Sequence, residues 1–204
     1  MAALTIALAV TGSGWWRATR PVDHPVTRLS VDLGREAMTG FNLTAAISPD
    51  GRRLVFPARG PDGKQLLATR LLDQAQPTLL PGTEHGSYPF FSPDGQWIGF
   101  FASNQIRKIS IQGGAPVMLG STSVSTSVFG ASWGRDGNII AGTGNLVPLS
   151  RIPAVGGPLQ RLTKLGPDEV SHRWPQVLPG GDVVLFTATP TVSAGQDNTS
   201  KPCR

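Results

Sequence analysis

The chain has 204 residues, 39% hydrophobic and 15% charged, with 25 glycines and 18 prolines. That is enough apolar sequence for a buried core and suits a turn-rich, all-β class. The formal net charge of +5 comes with arginines scattered along the chain (Arg52, Arg59, Arg70, Arg107, Arg135, Arg151, Arg161, Arg173) and no basic cluster or binding motif, which argues against nucleic acid. The lone cysteine, Cys203, excludes an internal disulfide and a cysteine metal cluster.

Residues 1–16 are apolar and end in Trp15-Trp16, with Arg17 and Arg20 beyond. The stretch is shorter than the roughly 20 residues that span a bilayer, and it lacks the basic start of a secretion signal. A truncated membrane span, an atypical signal segment and a soluble apolar tail are the three readings. Residues 17–39 read as a linker, Arg20 to Pro25, followed by a leading strand from Val26 to Leu33.

From there one turn organises the chain. Ser48-Pro49-Asp50-Gly51 recurs as Ser92-Pro93-Asp94-Gly95, then in weaker form as Gly134-Arg135-Asp136-Gly137 and Leu178-Pro179-Gly180-Gly181. The spacings between third positions are 44, 42 and 44 residues. Proline presets φ for a type I turn, aspartate suits the next position, and glycine accepts the positive φ that returns the chain into a hairpin.

Short apolar runs flank each turn: Ala45–Ile47 and Leu54–Phe56, Tyr88–Phe91 and Trp97–Phe101, Phe129–Trp133 and Ile139–Ala141, and lastly Val183–Phe186. A second pair of strands fits in each period, as in Leu66–Leu72 with Pro77–Leu80. Ile106–Ile111 with Pro116–Leu119 and Leu149–Pro153 with Leu159–Leu162 follow it. The alternation in Ile106–Ile111 reads as a half-buried or outer strand. Four antiparallel strands in 42 to 44 residues make a propeller blade. The expected fold is all-β, an incomplete β-propeller of about three blades plus part of a fourth over residues 40–188. Residues 189–204 read as a disordered polar tail.

The pattern of apolar strand, Ser-Pro-Asp-Gly, apolar strand, strand and Gly-Gly resembles the TolB-type, WD-like β-propeller repeats of bacteria. The runs Pro89–Phe101, Ile109–Pro116 and Ser171–Pro179 resemble one subset, the propellers that follow the membrane span in bacterial serine/threonine protein kinases. The resemblance covers about residues 40–190. It implies a membrane-associated protein with an extracytoplasmic propeller, although Arg17 and Arg20 after a complete anchor would favour the opposite orientation. No Gly-rich loop, His-Arg-Asp or Asp-Phe-Gly motif is present, so the chain has no kinase chemistry of its own.

No residue earns a catalytic, cofactor-binding or metal-binding role from its pattern. Gly130-Ala131-Ser132-Trp133-Gly134 matches G-x-S-x-G, but a turn and a strand follow it where a nucleophile elbow needs a helix. Asp50, Asp94 and Asp136 are explained by their common place in the turn. Trp97 and Trp133 are expected to be buried between blades. His172 stands two periods after His85, just before an innermost strand. It reads either as a structural histidine or, with His85, Tyr88, Arg173 and Trp174, as a contact for a protein, peptide or small ligand at the channel mouth.

The functional expectation is a non-catalytic interaction or sensor module, a fragment of a membrane-anchored kinase-like protein without its kinase domain. The alternatives are the propeller of a prolyl-oligopeptidase-like hydrolase and a fragment with no independent function. Association through residues 2–16 with a membrane, and self-association that closes the ring, are the further expectations about partners.

Overall fold

A computed structural model describes residues 30–38, 40, 44–122 and 127–191. Residues 1–32 and 33–204 separate into two units, and every strand among the described residues lies in the second. The apolar segment 2–16, the linker, the start of the expected leading strand and most of the expected tail lie outside the described residues.

The first sheet holds β1 (Ala46–Ile47), β2 (Arg53–Arg59), β3 (Gln65–Leu71) and β4 (Thr78–Leu80) in chain order, all antiparallel. The second repeats it with β5 (Ser87–Phe91), β6 (Trp97–Ala102), β7 (Gln105–Ser110) and β8 (Val117–Ser121). The third holds β9 (Ala131–Trp133), β10 (Asn138–Gly142), β11 (Leu149–Pro153) and β12 (Gln160–Arg161). A fourth, among the described residues, pairs β13 (Glu169–Val177) with β14 (Val184–Pro190). This is an incomplete β-propeller of three full blades and part of a fourth.

The turn that sets the period closes by the same bonds in its two full copies. Ser48 Oγ accepts the Arg53 N–H at 2.9 Å, and Ser92 Oγ accepts the Trp97 N–H at 2.9 Å. Each serine donates to the following aspartate, whose Oδ1 also accepts a backbone N–H, from Arg52 or Gln96. Gly95 then turns the chain at φ 69°, in the left-handed region where only glycine is unstrained. In the third copy glycine replaces serine, and Asn138 takes over by donating its N–H and its side-chain amide to Asp136.

Packing explains why the middle blade is apolar throughout. Phe91, Ile98, Phe100 and Ile109 face the first blade and meet Val55, Leu67 and Leu80. Tyr88, Phe90, Phe101 and Ile106 face the third and meet Ala131, Ile139, Ala141 and Ile152. The strand read as half-buried, β7, therefore buries Ile106 on one face and Ile109 on the other, because a blade lies on each side of it. The far face of the first blade buries Phe56, Ala58 and Ala68 under Leu33 and Ala37.

Three expectations change. Residues 30–33 form no strand; instead Ala37 bridges Ala58, with Met38 N–H on Pro57 O and Arg59 N–H on Glu36 O. The last strand runs on through Thr189 and Pro190 of the expected tail, because Ser171 and Glu169 supply their ladder partners. Trp97 and Trp133 are half-buried, since both stand near the turns, where a groove opens between neighbouring blades.

Candidate functional site

The innermost strands β1, β5, β9 and β13 line a groove of about 470 Å³. Its walls are largely aromatic and prolyl: Tyr88, Pro89, Phe90, Trp133, Trp174 and Pro175 among them. The strands reach it through a repeated distortion. Tyr88 (φ 47°), Gly130 (φ 76°) and Trp174 (φ 54°) hold the same place in successive blades and all take the left-handed conformation. Pairing slips between Ser87 and Phe90 in β5 and between Arg173 and Gln176 in β13, so each strand bulges there and re-aims its side chains. For a tyrosine and a tryptophan this conformation costs about 1–3 kcal/mol each, which the surrounding packing must offset.

The bulges bring aromatic rings from three blades into one chain. Tyr88 meets Trp174 at 5.4 Å between centroids and Phe101 edge-on at 6.4 Å, and Trp174 meets Phe129 at 6.4 Å. The Trp174 N–H donates to Phe129 O at 2.9 Å, tying the fourth blade to the third. A Cβ on Gly130 would lie 3.0 Å from the Trp174 ring, which favours glycine at that step. Arg173 stacks its guanidinium 3.9 Å over Phe129, donating to Ser171 Oγ at 2.7 Å and Asn145 Oδ1 at 3.0 Å. Trp174 nonetheless stays 43% exposed, which leaves an indole face open at the groove. Burial, opposed by Arg173, raises the Tyr88 phenol above its usual range and keeps it neutral.

Of the five residues singled out in the sequence, Tyr88, Arg173 and Trp174 come together. His85 is exposed in the loop between β4 and β5 and does not line the groove. His172 is 2% exposed and turned away from its neighbour Arg173, as alternation along a strand requires. Its Nδ1 pairs with Thr163 Oγ1 at 2.7 Å and its Nε2 with Glu169 Oε2 at 2.9 Å, while Phe186 covers the ring at 4.5 Å. The contact expected of His172 at the mouth is thus corrected to a buried clasp. Glu169 is held below the usual carboxylate range by the Gly166 N–H first and by His172 second.

Ser132, the letter-match nucleophile, accepts the Val177 N–H at 3.0 Å and so joins β9 to β13. Phe129 and Asn145, which position Arg173 and Trp174, carry no motif; only their phase in the repeat marks them. Among the described residues no group of three or more His, Cys, Asp or Glu could hold a metal ion, and no helix is long and apolar enough to cross a membrane.

No protein-family model matches the chain, and no curated protein matches it. Solved structures do. A putative TolB from Agrobacterium tumefaciens superposes with a TM-score of 0.62 at 20% identity, over 76% of this chain and 58% of that one. A catalytically inactive virginiamycin B lyase from Staphylococcus aureus with quinupristin gives 0.51 at 14% identity, over 73% and 50%. The nidogen/laminin complex gives 0.51 at 15% identity, over 71% and 54%. The chain therefore spans little more than half the length of the structures it matches, and the likeness is one of fold. The chain folds as an incomplete, TolB-like β-propeller.

Proposed function

We propose that the chain is a non-catalytic interaction module that binds a protein or peptide segment at the groove of its innermost strands. We further propose that it is the extracytoplasmic propeller of a membrane-anchored serine/threonine kinase-like protein. The observation that carries the first reading is Trp174, a half-exposed indole held in a strained backbone between Tyr88 and Phe129. Tryptophan and arginine in desolvated settings are the residues that most often dominate an interface. The kinase context rests on the resemblance of Pro89–Phe101 and Ser171–Pro179 to that subset of propellers.

A peptide library displayed on phage and panned against the full chain tests the binding reading. Trp174→Gly serves as the counter-selection, because Gly130 already occupies the equivalent left-handed position. Enriched peptides that lose binding to Trp174→Gly support the reading; enrichment indifferent to that change, or none, overturns it. The kinase context is tested by the gene: an in-frame kinase domain and span upstream support it, and an in-frame hydrolase downstream would replace it with the propeller of a peptidase.

A further inference from the structure

A second cavity, of about 510 Å³, lies between the turns of the second and third blades. Its walls carry two half-buried indoles, Trp97 and Trp133, and two cations, Lys108 and Arg135. Lys108 is anchored: its Nζ donates to Ala154 O at 2.8 Å across the blade boundary and sits 4.6 Å over the Trp97 ring. Arg135 is exposed and makes no hydrogen bond or ion pair among the described residues. Two ionised carboxylates lie nearby, Asp94 in the lining itself, and both are held by donors of their own turns. Asp94 accepts from Ser92 and Gln96 inside its turn, and Asp136 accepts twice from Asn138.

The repeat supplies an internal control. The corresponding groove between the first and second blades, about 380 Å³, has Arg53 where this one has Trp97 and Pro93 where this one has Arg135, and no aromatic residue lines it. Proline stands at the Arg135 position in every other copy of the turn: Pro49, Pro93 and Pro179. Since proline is the residue the turn itself favours, Arg135 gives up local stiffness for a guanidinium at the rim of an aromatic cavity.

We propose that this groove is a binding site for small aromatic carboxylates. The indoles offer planar apolar walls for a ring, and the free guanidinium offers the paired donors that match a carboxylate, with Lys108 adding positive potential. The volume lies within the range of small-molecule sites, about 300–1,000 Å³. The site opens on the turn side of the blades and adjoins the channel groove, with Ser92, Pro93 and Trp133 bordering both.

Isothermal titration of the full chain with three probes of one shape tests the assignment: naphthoate, naphthalenemethanol and naphthylmethylamine. Naphthoate should bind at least about tenfold more tightly than the neutral alcohol, a difference of about 1.4 kcal/mol, and the amine more weakly still. Arg135→Pro, the residue of the other turns, should remove the preference for the anion while leaving the melting temperature unlowered. Arg135→Gln repeats the test without altering the turn. Trp97→Leu should weaken all three probes, and Trp174→Gly none. Equal affinity for the three probes, or naphthoate binding untouched in both Arg135 variants, overturns the proposal.

Discussion

Gly99 stands opposite Phe90 in the ladder between β5 and β6, and the phenyl ring lies across the space a side chain would fill. A Cβ built there would fall at or within 3.0 Å of three ring carbons of Phe90. The ring cannot retreat freely, because it packs within 6.4 Å of Phe101 and 6.3 Å of Trp133 in the core between the second and third blades. Gly99→Ala is therefore an overpacking change, expected to cost about 1–3 kcal/mol. Against that, alanine lowers the entropy lost on folding, a gain of at most about 1 kcal/mol. With two of the ring carbons well inside 3.0 Å of the built Cβ, the overpacking cost falls in the upper part of its range, about 2–3 kcal/mol, and the net should be a loss of about 1–2 kcal/mol, or a melting temperature lower by roughly 2–8 °C for a chain of this size. Phe90→Ala alone should cost more, about 3–5 kcal/mol, through the cavity it leaves. The decisive comparison is Phe90→Leu/Gly99→Ala, where the smaller side chain makes room for the new methyl. Urea unfolding followed by circular dichroism should show the double variant more stable than the sum of the single losses, with a coupling of at least about 0.5 kcal/mol. Strict additivity, or a neutral Gly99→Ala, would refute the contact as the reason for glycine at this position.

Two further outcomes follow from ionisation. Asp50, Asp94 and Asp136 are all held below the usual carboxylate range, chiefly by side-chain hydrogen bonds from Ser48, Ser92 and Asn138 respectively. Their contribution is present above the unfolded pKa of about 3.9 and lost as pH falls through the lower folded values. The melting temperature should thus fall as pH drops below about 4, and Asp94→Asn should flatten that part of the curve; an unchanged slope would contradict the turn bonds. Tyr88 is the sole tyrosine, so phenolate absorbance reports it alone. Its midpoint should lie above the usual value of about 10, and Arg173→Gln should raise it further, since Arg173 opposes the shift. Because the folded pKa is raised, the stability it contributes is full below about pH 10 and lost as pH rises through the folded value. A midpoint at or below the ordinary value would place the ring in solvent.

The period of the turn carried most of the fold. Its chemistry is local, with Pro at one position, Asp at the next and Gly where φ must be positive, so the four strand pairs could be placed without tertiary information. What lay beyond reach was set by neighbours across blades. Nothing in Ile106–Ile111 says that a blade covers each face, and Trp97 reads as core until the groove beside it is seen. The site divided along the same line. Tyr88 and Trp174 were recognisable as equivalent positions before a proline, whereas His172 is fixed by Thr163, from the irregular segment after β12, and by Glu169 at the start of its own strand. Phe129 and Asn145 hold Arg173 by position alone, and no residue type announces that.

The double-sided burial of the middle blade also sets an order in time. Amides of β6 and β7 lie between paired strands and beneath apolar layers on both faces, so their exchange with solvent requires the whole stack to open. In β14, where Val184 to Pro190 pair on one edge only and Leu185 is 57% exposed, local fraying suffices. Protection should therefore fall away from the second blade toward the fourth. The aromatic groove, which takes Trp174 from the loosely held blade and Tyr88 from the tightly held one, joins a slow wall to a fast wall. A ligand seated there would be read out as a slowing of exchange in β13 and β14 with little change in β6.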